Sequence, residues 1–364
     1  MPNIFKKNNK NRNMVLFLGR RDFTDHVDHV DIVDGVVKVD PTNLKGRKVW
    51  VSLSCAFRYG SEDLDVMGIG FRKNLWMDWT QVYPAPASQK QGNTALQDAL
   101  IGKCGGQGYP FTFHIPANLP CSVSMQPGPK DKGKCCGVDF EVRAYIANAA
   151  DNPEEHISKK DSCRLIIRKV QYSPPNDVAG SRAETSKQFL MSDKPVTLEA
   201  SLAKEYNYHG EPISIKVKVN NESGKAVNTI QLWIEQLTDV VLYSSDKYTR
   251  TILFEEFNET INPNEAYEKE FAVTPSLSQN KDKHGIAVDG KLKYEDTNLA
   301  SSTLMMTEQT REMRGILVSY KIRVVLTMGS GVLGASEVQV EIPMTLMCPK
   351  PREFSLEEMI LDVA

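Results

Sequence analysis

The chain is predicted to be all-β, folded as two antiparallel β-sandwiches with one short helix in the first. Apolar residues recur with a period of two along most patterned stretches, as strands with one buried face require. Clusters of Gly, Pro, Asn and Ser interrupt those stretches at turn-like spacing, which favours sandwiches over a parallel sheet. A length of 364 residues, 41% of them apolar, suits two cores better than one.

Taken in order, Val49, Val51, Leu53, Cys55 and Phe57 alternate with Lys48, Trp50, Ser52 and Ser54, which predicts a half-buried strand. Residues 94–106 are the one clear helix. Thr94 and Gln97 have capping-box spacing, Leu96, Leu100 and Cys104 recur every four residues, and Gly105-Gly106 ends the run. Val138, Phe140, Val142 and Ala144 form the next alternating strand. Residues 172–181 contain Pro174-Pro175 among polar residues and read as a linker. Domains are therefore expected at residues 1–171 and 184–348, with a hinge at 172–183 and a tail at 349–364.

Beyond the linker, alternation returns at Ile213 to Val219 and at Ile230, Leu232 and Ile234. The intervening Asn220-Asn221-Glu222-Ser223-Gly224 reads as a hairpin turn. Ile316, Val318, Tyr320, Ile322, Val324 and Leu326 predict another strand, as do Val338, Val340, Ile342, Met344 and Leu346. Residues 284–304 break the pattern. Asp289, Lys291, Lys293, Glu295 and Asp296 make them either a solvated loop or a working one, since long unpatterned connections in compact domains often serve as lids or binding loops.

A net charge of −2 argues against a nucleic-acid or membrane-surface protein. The balance is lopsided, however: Lys6, Lys7, Lys10, Arg12, Arg20 and Arg21 all precede the first acid, Asp22, and point to an anionic partner. No apolar leader and no run of about 20 apolar residues is present, so the chain is read as soluble and intracellular. Cys55, Cys104, Cys121, Cys135, Cys136, Cys163 and Cys348 have no zinc-type spacing and suit a reducing compartment. The sequons at Asn221 and Asn258 then carry no meaning.

Catalytic signals are thin. Asp22, Asp25, Asp28, Asp31 and Asp34 recur every three residues around His26 and His29, but a spacing of three in a strand alternates faces, and no calcium-loop register exists. Gly68-Ile69-Gly70 is no dinucleotide fingerprint, and Gly102-Lys103-Cys104-Gly105-Gly106 lacks P-loop spacing. Neither enzyme, metal nor cofactor is expected.

Several longer blocks carry a resemblance: Leu18-Gly19-Arg20-Arg21-Asp22, Asp34-Gly35-Val36-Val37, Cys55-Ala56-Phe57-Arg58-Tyr59-Gly60, Leu119-Pro120-Cys121-Ser122-Val123, Tyr208-His209-Gly210-Glu211-Pro212, and the stretch from Gly285 to Ser302. Through them the chain resembles the arrestins from about Ile4 to Pro351. The short start before Ile4-Phe5-Lys6-Lys7, and a tail without a clathrin-box sequence, are most similar to the visual, cone-type branch.

The resemblance implies an immunoglobulin-like pair of sandwiches that binds active, phosphorylated opsin in photoreceptor cytoplasm and excludes G protein. It places Asp22, Arg168, Asp289 and Asp296 in a buried polar-core switch. From Ile166-Ile167-Arg168-Lys169-Val170 alone, Arg168 reads as a solvent-facing strand residue. Lys6, Lys7, Lys10, Arg20, Arg21, Lys291 and Lys293 become phosphate-binding residues, with Lys103 as a helper. Ile4, Phe5, Leu96, Leu100 and Cys104 become a clamp for Phe354, Leu356 and Met359 of the tail.

Glu62, Asp63, Leu64, Asp65, Val66, Met67, Gly68 and Ile69 become a receptor-contact loop, which the residues alone leave equally readable as a hairpin tip. Residues 126–137 resemble a mobile middle loop. Phe189-Leu190-Met191 and Gly331-Val332-Leu333-Gly334 become edge tips that touch the bilayer, and the resemblance leaves room for weak self-association. One departure stands out: Leu361 occupies a place where the pattern has an Arg, which predicts a looser latch or a variant terminus. A trafficking scaffold indifferent to phosphate is the alternative function.

Overall fold

The computed structural model describes residues 4–60, 71–86, 92–127, 135–150, 156–189, 192–242, 246–292, 296–304, 314–331 and 334–350. The first half of the chain contains β1 (Phe5–Asn8), β2 (Met14–Leu18), β3 (Asp22–Asp25), β4 (Val33–Val39), β5 (Lys48–Gly60), β6 (Phe71–Tyr83), α1 (Ala95–Lys103), β7 (Gly108–Phe113), β8 (Val123–Met125), β9 (Cys135–Ala147) and β10 (Ser162–Gln171). The second contains β11 (Arg182–Lys187), β12 (Val196–Leu202), β13 (Tyr206–Tyr208), β14 (Ile213–Asn221), β15 (Val227–Val240), β16 (Lys247–Phe257), β17 (Glu265–Val273), β18 (Ala287–Asp289), β19 (Ile316–Gly331) and β20 (Gly334–Met347).

Two sheets form from the first half. One has the order β1-β2-β4-β7; the other runs β18-β8-β9-β10-β3, with β5 and then β6 branching from β9. Pairing is antiparallel except between β10 and β3, which run parallel. Leu16, Leu18 and Val37 from one sheet and Leu53, Phe140 and Val142 from the other are fully buried in a shared apolar cluster. Each such side chain contributes about 1.5–3 kcal/mol by leaving water. Gly35 is needed where β4 passes beneath its neighbours: a Cβ there would sit 2.5 Å from the Phe111 ring and 2.5 Å from the Phe17 carbonyl oxygen.

The second half stacks β11-β12-β14-β17 against β13-β20-β19-β15-β16. The alternating strands at 213–219, 230–234, 316–326 and 338–346 are all present. Their partners correct one expectation, because β14 pairs with β12 and β17 whereas β15 pairs with β16 and β19. Residues 222–226 therefore cross between sheets instead of closing a hairpin. The turn chemistry is real but serves another purpose: the Asn221 side-chain amide donates to the carbonyls of Lys225, Ile261 and Asn262 at 2.8, 3.2 and 3.0 Å.

A second difference concerns β5, expected to be half-buried but covered on both faces through most of its length. Arg72 donates to Ser54 Oγ at 3.3 Å, while Arg58 pairs with Asp139 and Glu141, both at 3.3 Å. An arginine from the neighbouring strand β6 thus reaches Ser54, as long amphipathic side chains do. The segment carrying β18 is the third. It lies beyond β17 in sequence, yet Ala287, Val288 and Asp289 pair with Met125, Ser124 and Val123 of β8. Chain order would assign it to the second domain; its hydrogen bonds join it to a sheet of the first.

Candidate functional site: a buried arginine at the junction

The parallel register of β3 and β10 sets Asp22 opposite Arg168, so their side chains emerge together. Arg168 Nε donates to Asp22 Oδ1 at 2.6 Å and Nη2 to Oδ2 at 2.7 Å, a two-pronged charge-assisted pair. The remaining nitrogen, Nη1, donates to the carbonyls of Gly290 at 3.3 Å and Asp296 at 2.9 Å. Arg168 is 8% exposed, while the Asp22 side chain keeps 46% of its surface in solvent. Gly290 permits the approach, since a Cβ there would lie 2.8 Å from Ser122 Cβ and 3.3 Å from Arg168 Cγ. One guanidinium thereby fastens β3 and the segment after β18 to the same strand.

The expected neighbours contribute differently from one another. The Asp289 carboxylate accepts from the Ser301 N–H at 3.0 Å, the Ser301 hydroxyl at 3.4 Å and the Cys348 thiol at 3.1 Å. Burial pushes its pKa up to about 6, against the lowering effects of Ser301, Cys348 and the charge of Arg168. It and Arg168 interact through charge. Asp296 is exposed and offers its backbone carbonyl to Arg168. His209 lies with its Nε2 3.9 Å from Asp289, and burial pushes its pKa down to about 4, so it is neutral near pH 7. Gln236, from β15, clasps Ala287 through both its N–H and its carbonyl at 2.8 Å and ties β18 to the second sandwich.

A second buried pair went unread in the sequence. Lys169, fully buried on the opposite face of β10, donates to Asp25 and, at 2.7 Å, to the Leu119 carbonyl. The acids spaced by three accordingly have separate partners: Asp22 holds Arg168, Asp25 holds Lys169, Asp28 meets His29, Asp31 pairs with Arg20 and His26, and Asp34 accepts from Thr94. Alternating faces, inferred from the spacing, separate Asp22 from Asp25. A triplet period in a strand could have signalled two ion pairs on two faces.

Lys6, Lys7 and Lys10 are exposed on or just after edge strand β1, and Lys291 is exposed next to Gly290. Arg20 is bound to Asp31 at 3.1 Å, and Arg21 donates to the Ile166 carbonyl at 2.8 Å with its guanidinium 5.5 Å from the Phe5 ring centre. Lys103 is exposed at the end of α1. The helix has the capping box at Thr94 and Gln97, and Leu96, Leu100 and Cys104 bury against Phe17 and Val36 with Ile4 alongside. Phe5 departs from that seam and packs on the main core of the first sandwich. Phe189 is buried at 9% exposure, so it forms no exposed tip. Lys293, Glu62, Asp63, Leu64, Asp65, Val66, Met67, Gly68, Ile69, Phe354, Leu356, Met359, Leu361, Leu190, Met191, Val332, Leu333 and most of the middle loop lie outside the described residues.

Two β-sandwiches with a buried arginine bonded to Asp22 and to the segment after β18 define the class of fold. Residues 14–173 match the arrestin (or S-antigen) N-terminal domain and residues 192–351 match the C-terminal domain. The chain belongs to the arrestin family. It is similar to Arrestin-C of Homo sapiens, 50% identical over all of this chain and 94% of that protein. Arrestin-C of Ictidomys tridecemlineatus is 51% identical over 99% and 92%, and that of Aquarana catesbeiana 49% over 99% and 93%. Members of the family are non-enzymatic receptor-binding proteins, and the chain is an arrestin that binds receptors and desensitises them. Among the described residues no helix is long and apolar enough to cross a membrane.

Proposed function

We propose that this arrestin recognises light-activated, phosphorylated opsin of the cone type and ends its G-protein signalling through a phosphate-triggered latch at Arg168. The supporting observation is the engagement of that guanidinium by two bonds to Asp22 and two to carbonyls in the segment after β18. A phosphorylated residue brings about −1.5 to −2 charges and three acceptor oxygens, which compete for just such a donor set. Lys6, Lys7, Lys10, Arg20, Arg21, Lys291 and Lys293 guide the phosphates in. Once Arg168 turns to phosphate, the Gly290 and Asp296 carbonyls lose their donor and β18 loosens from the first sandwich.

In the resting state the tail residues Phe354, Leu356 and Met359 lie against Ile4, Leu96, Leu100 and Cys104, and phosphate arrival displaces them. Residues 62–69 then enter the receptor, with residues 172–183 serving as the hinge between domains 1–171 and 184–348. The partner is a photoreceptor opsin met in the cytoplasm. Pulldown with dark, active unphosphorylated and active phosphorylated cone opsin tests this: binding is expected to need both light and phosphate. Equal binding to the two active forms would instead support a scaffold indifferent to phosphate, while a reduced preference for the phosphorylated form fits the looser latch expected from Leu361 in place of an Arg.

A further inference from the structure

Beside the Arg168 latch, four side chains from separate segments converge on one point. His209 follows β13, Asp289 ends β18, Ser301 lies in the return from it, and Cys348 follows β20. Asp289 Oδ2 stands 3.1 Å from Cys348 Sγ, 3.9 Å from His209 Nε2 and 3.4 Å from Ser301 Oγ. Ser301 Oγ is in turn 3.4 Å from both His209 Nε2 and Cys348 Sγ. The His209, Asp289 and Cys348 ligand atoms all lie within 4.8 Å of one another, and all three residues are buried. A cavity of about 20 Å³ bordered by Asp289, Ser301 and Ser302 opens beside them.

We propose that His209, Asp289 and Cys348 bind a divalent transition-metal ion of the zinc type. Tetrahedral zinc holds N and O ligands at about 2.0–2.2 Å and S at about 2.3 Å, which places ligand atoms roughly 3.2–3.8 Å apart. The spacings around Asp289 fall close to that range before any adjustment. The donor set of imidazole, carboxylate and thiolate suits zinc and cobalt, whereas calcium and magnesium take all-oxygen shells. Charge also balances: on binding, the Cys348 proton leaves to solvent, and one thiolate, one carboxylate and a neutral imidazole cancel the two positive charges of the ion. Ser301 Oγ, equidistant from two ligands, supplies a neutral fourth donor or holds a water in that place.

Such an ion would tie three segments together where the latch is built. Cys348 donates its N–H to the Gln171 carbonyl of β10 at 3.0 Å, so the metal would also brace the second sandwich against the first. The test uses the full chain, stripped with a chelator and titrated with cobalt(II). One equivalent is expected to bind with a thiolate-to-metal charge-transfer band, and excess zinc is expected to bleach it. Cys348→Ser should abolish the band, His209→Ala should weaken binding roughly tenfold or more, and Cys136→Ser, a thiol away from the cluster, should leave it unchanged. Melting of each variant without metal reports whether it still folds, and His209→Ala serves where Cys348→Ser does not. No band in the wild-type chain, a band that survives Cys348→Ser in a folded variant, or unchanged cobalt affinity in folded His209→Ala overturns the proposal and leaves a hydrogen-bonded cluster only.

Discussion

Lys169 and Arg168 are adjacent in sequence yet face opposite ways, and burial gives the two cations different consequences. Lys169 is completely enclosed with Asp25, so removing its charge strands a buried carboxylate. Lys169→Met is expected to lower unfolding stability by about 3–5 kcal/mol, and Asp25→Leu added to it should recover much of the loss. Denaturant unfolding of both variants checks this; equal stability of the single and double variants would show that the charge is not the cause. Asp31 gives a pH signature. Burial alone would raise its pKa, but the Thr24 N–H, Arg20 and His26 outweigh it and hold the carboxyl below its usual range. A lowered folded-state value means the contribution is present above the unfolded pKa of about 3.9 and fades as pH falls below it. Asp31→Asn should therefore narrow the stability gap to wild type as pH drops from 6 toward 3, measured by urea unfolding across that window.

Among elements, α1 shows how a local signal is reused at long range. Its Thr94 cap accepts from the Gln97 N–H at 3.2 Å while its own hydroxyl donates to Asp34 of β4 at 2.6 Å. Thr94→Ala removes a cap and a tether, with an expected cost of about 1–2 kcal/mol; urea unfolding measures it, and a cost below about 0.3 kcal/mol would mean that neither bond matters. This helix was readable because capping boxes and four-residue spacing are local. Strand faces were readable for the same reason, as β14, β15, β19 and β20 show. Strand partners were not, because alternation reports which side is buried and says nothing of the neighbour, so the connection after Asn221 looked like a hairpin. Nor does a period reveal that Arg72 of β6 would reach Ser54 of β5.

Across the whole molecule, the junction is assembled from residues that sequence separates widely. Arg168 looked like a surface residue because its partners lie 146 positions away at Asp22 and 122 and 128 positions away at Gly290 and Asp296. The family resemblance located it; periodicity could not. The resemblance named Asp289 as well, but only the fold shows that its carboxylate turns to Ser301, Cys348 and His209. Gln236 holds β18 from the second sandwich while β8 holds it from the first, and under the proposed function this short strand loosens when phosphate arrives. Amide exchange at residues 286–289 is accordingly expected to accelerate when a multiply phosphorylated receptor-tail peptide is added, and to stay unchanged with the unphosphorylated peptide.

The most direct measurement compares wild type and Arg168→Gln for binding to active opsin with and without phosphates. Asp22 is half in solvent, and the buried Asp289 keeps its bonds from Ser301 and Cys348, so the variant should fold. If Arg168 is the latch, wild type prefers the phosphorylated form strongly and the variant binds both active forms nearly alike, through gain of binding to the unphosphorylated one. A variant that keeps the wild-type preference, or loses binding to both forms equally while remaining folded, would contradict the account.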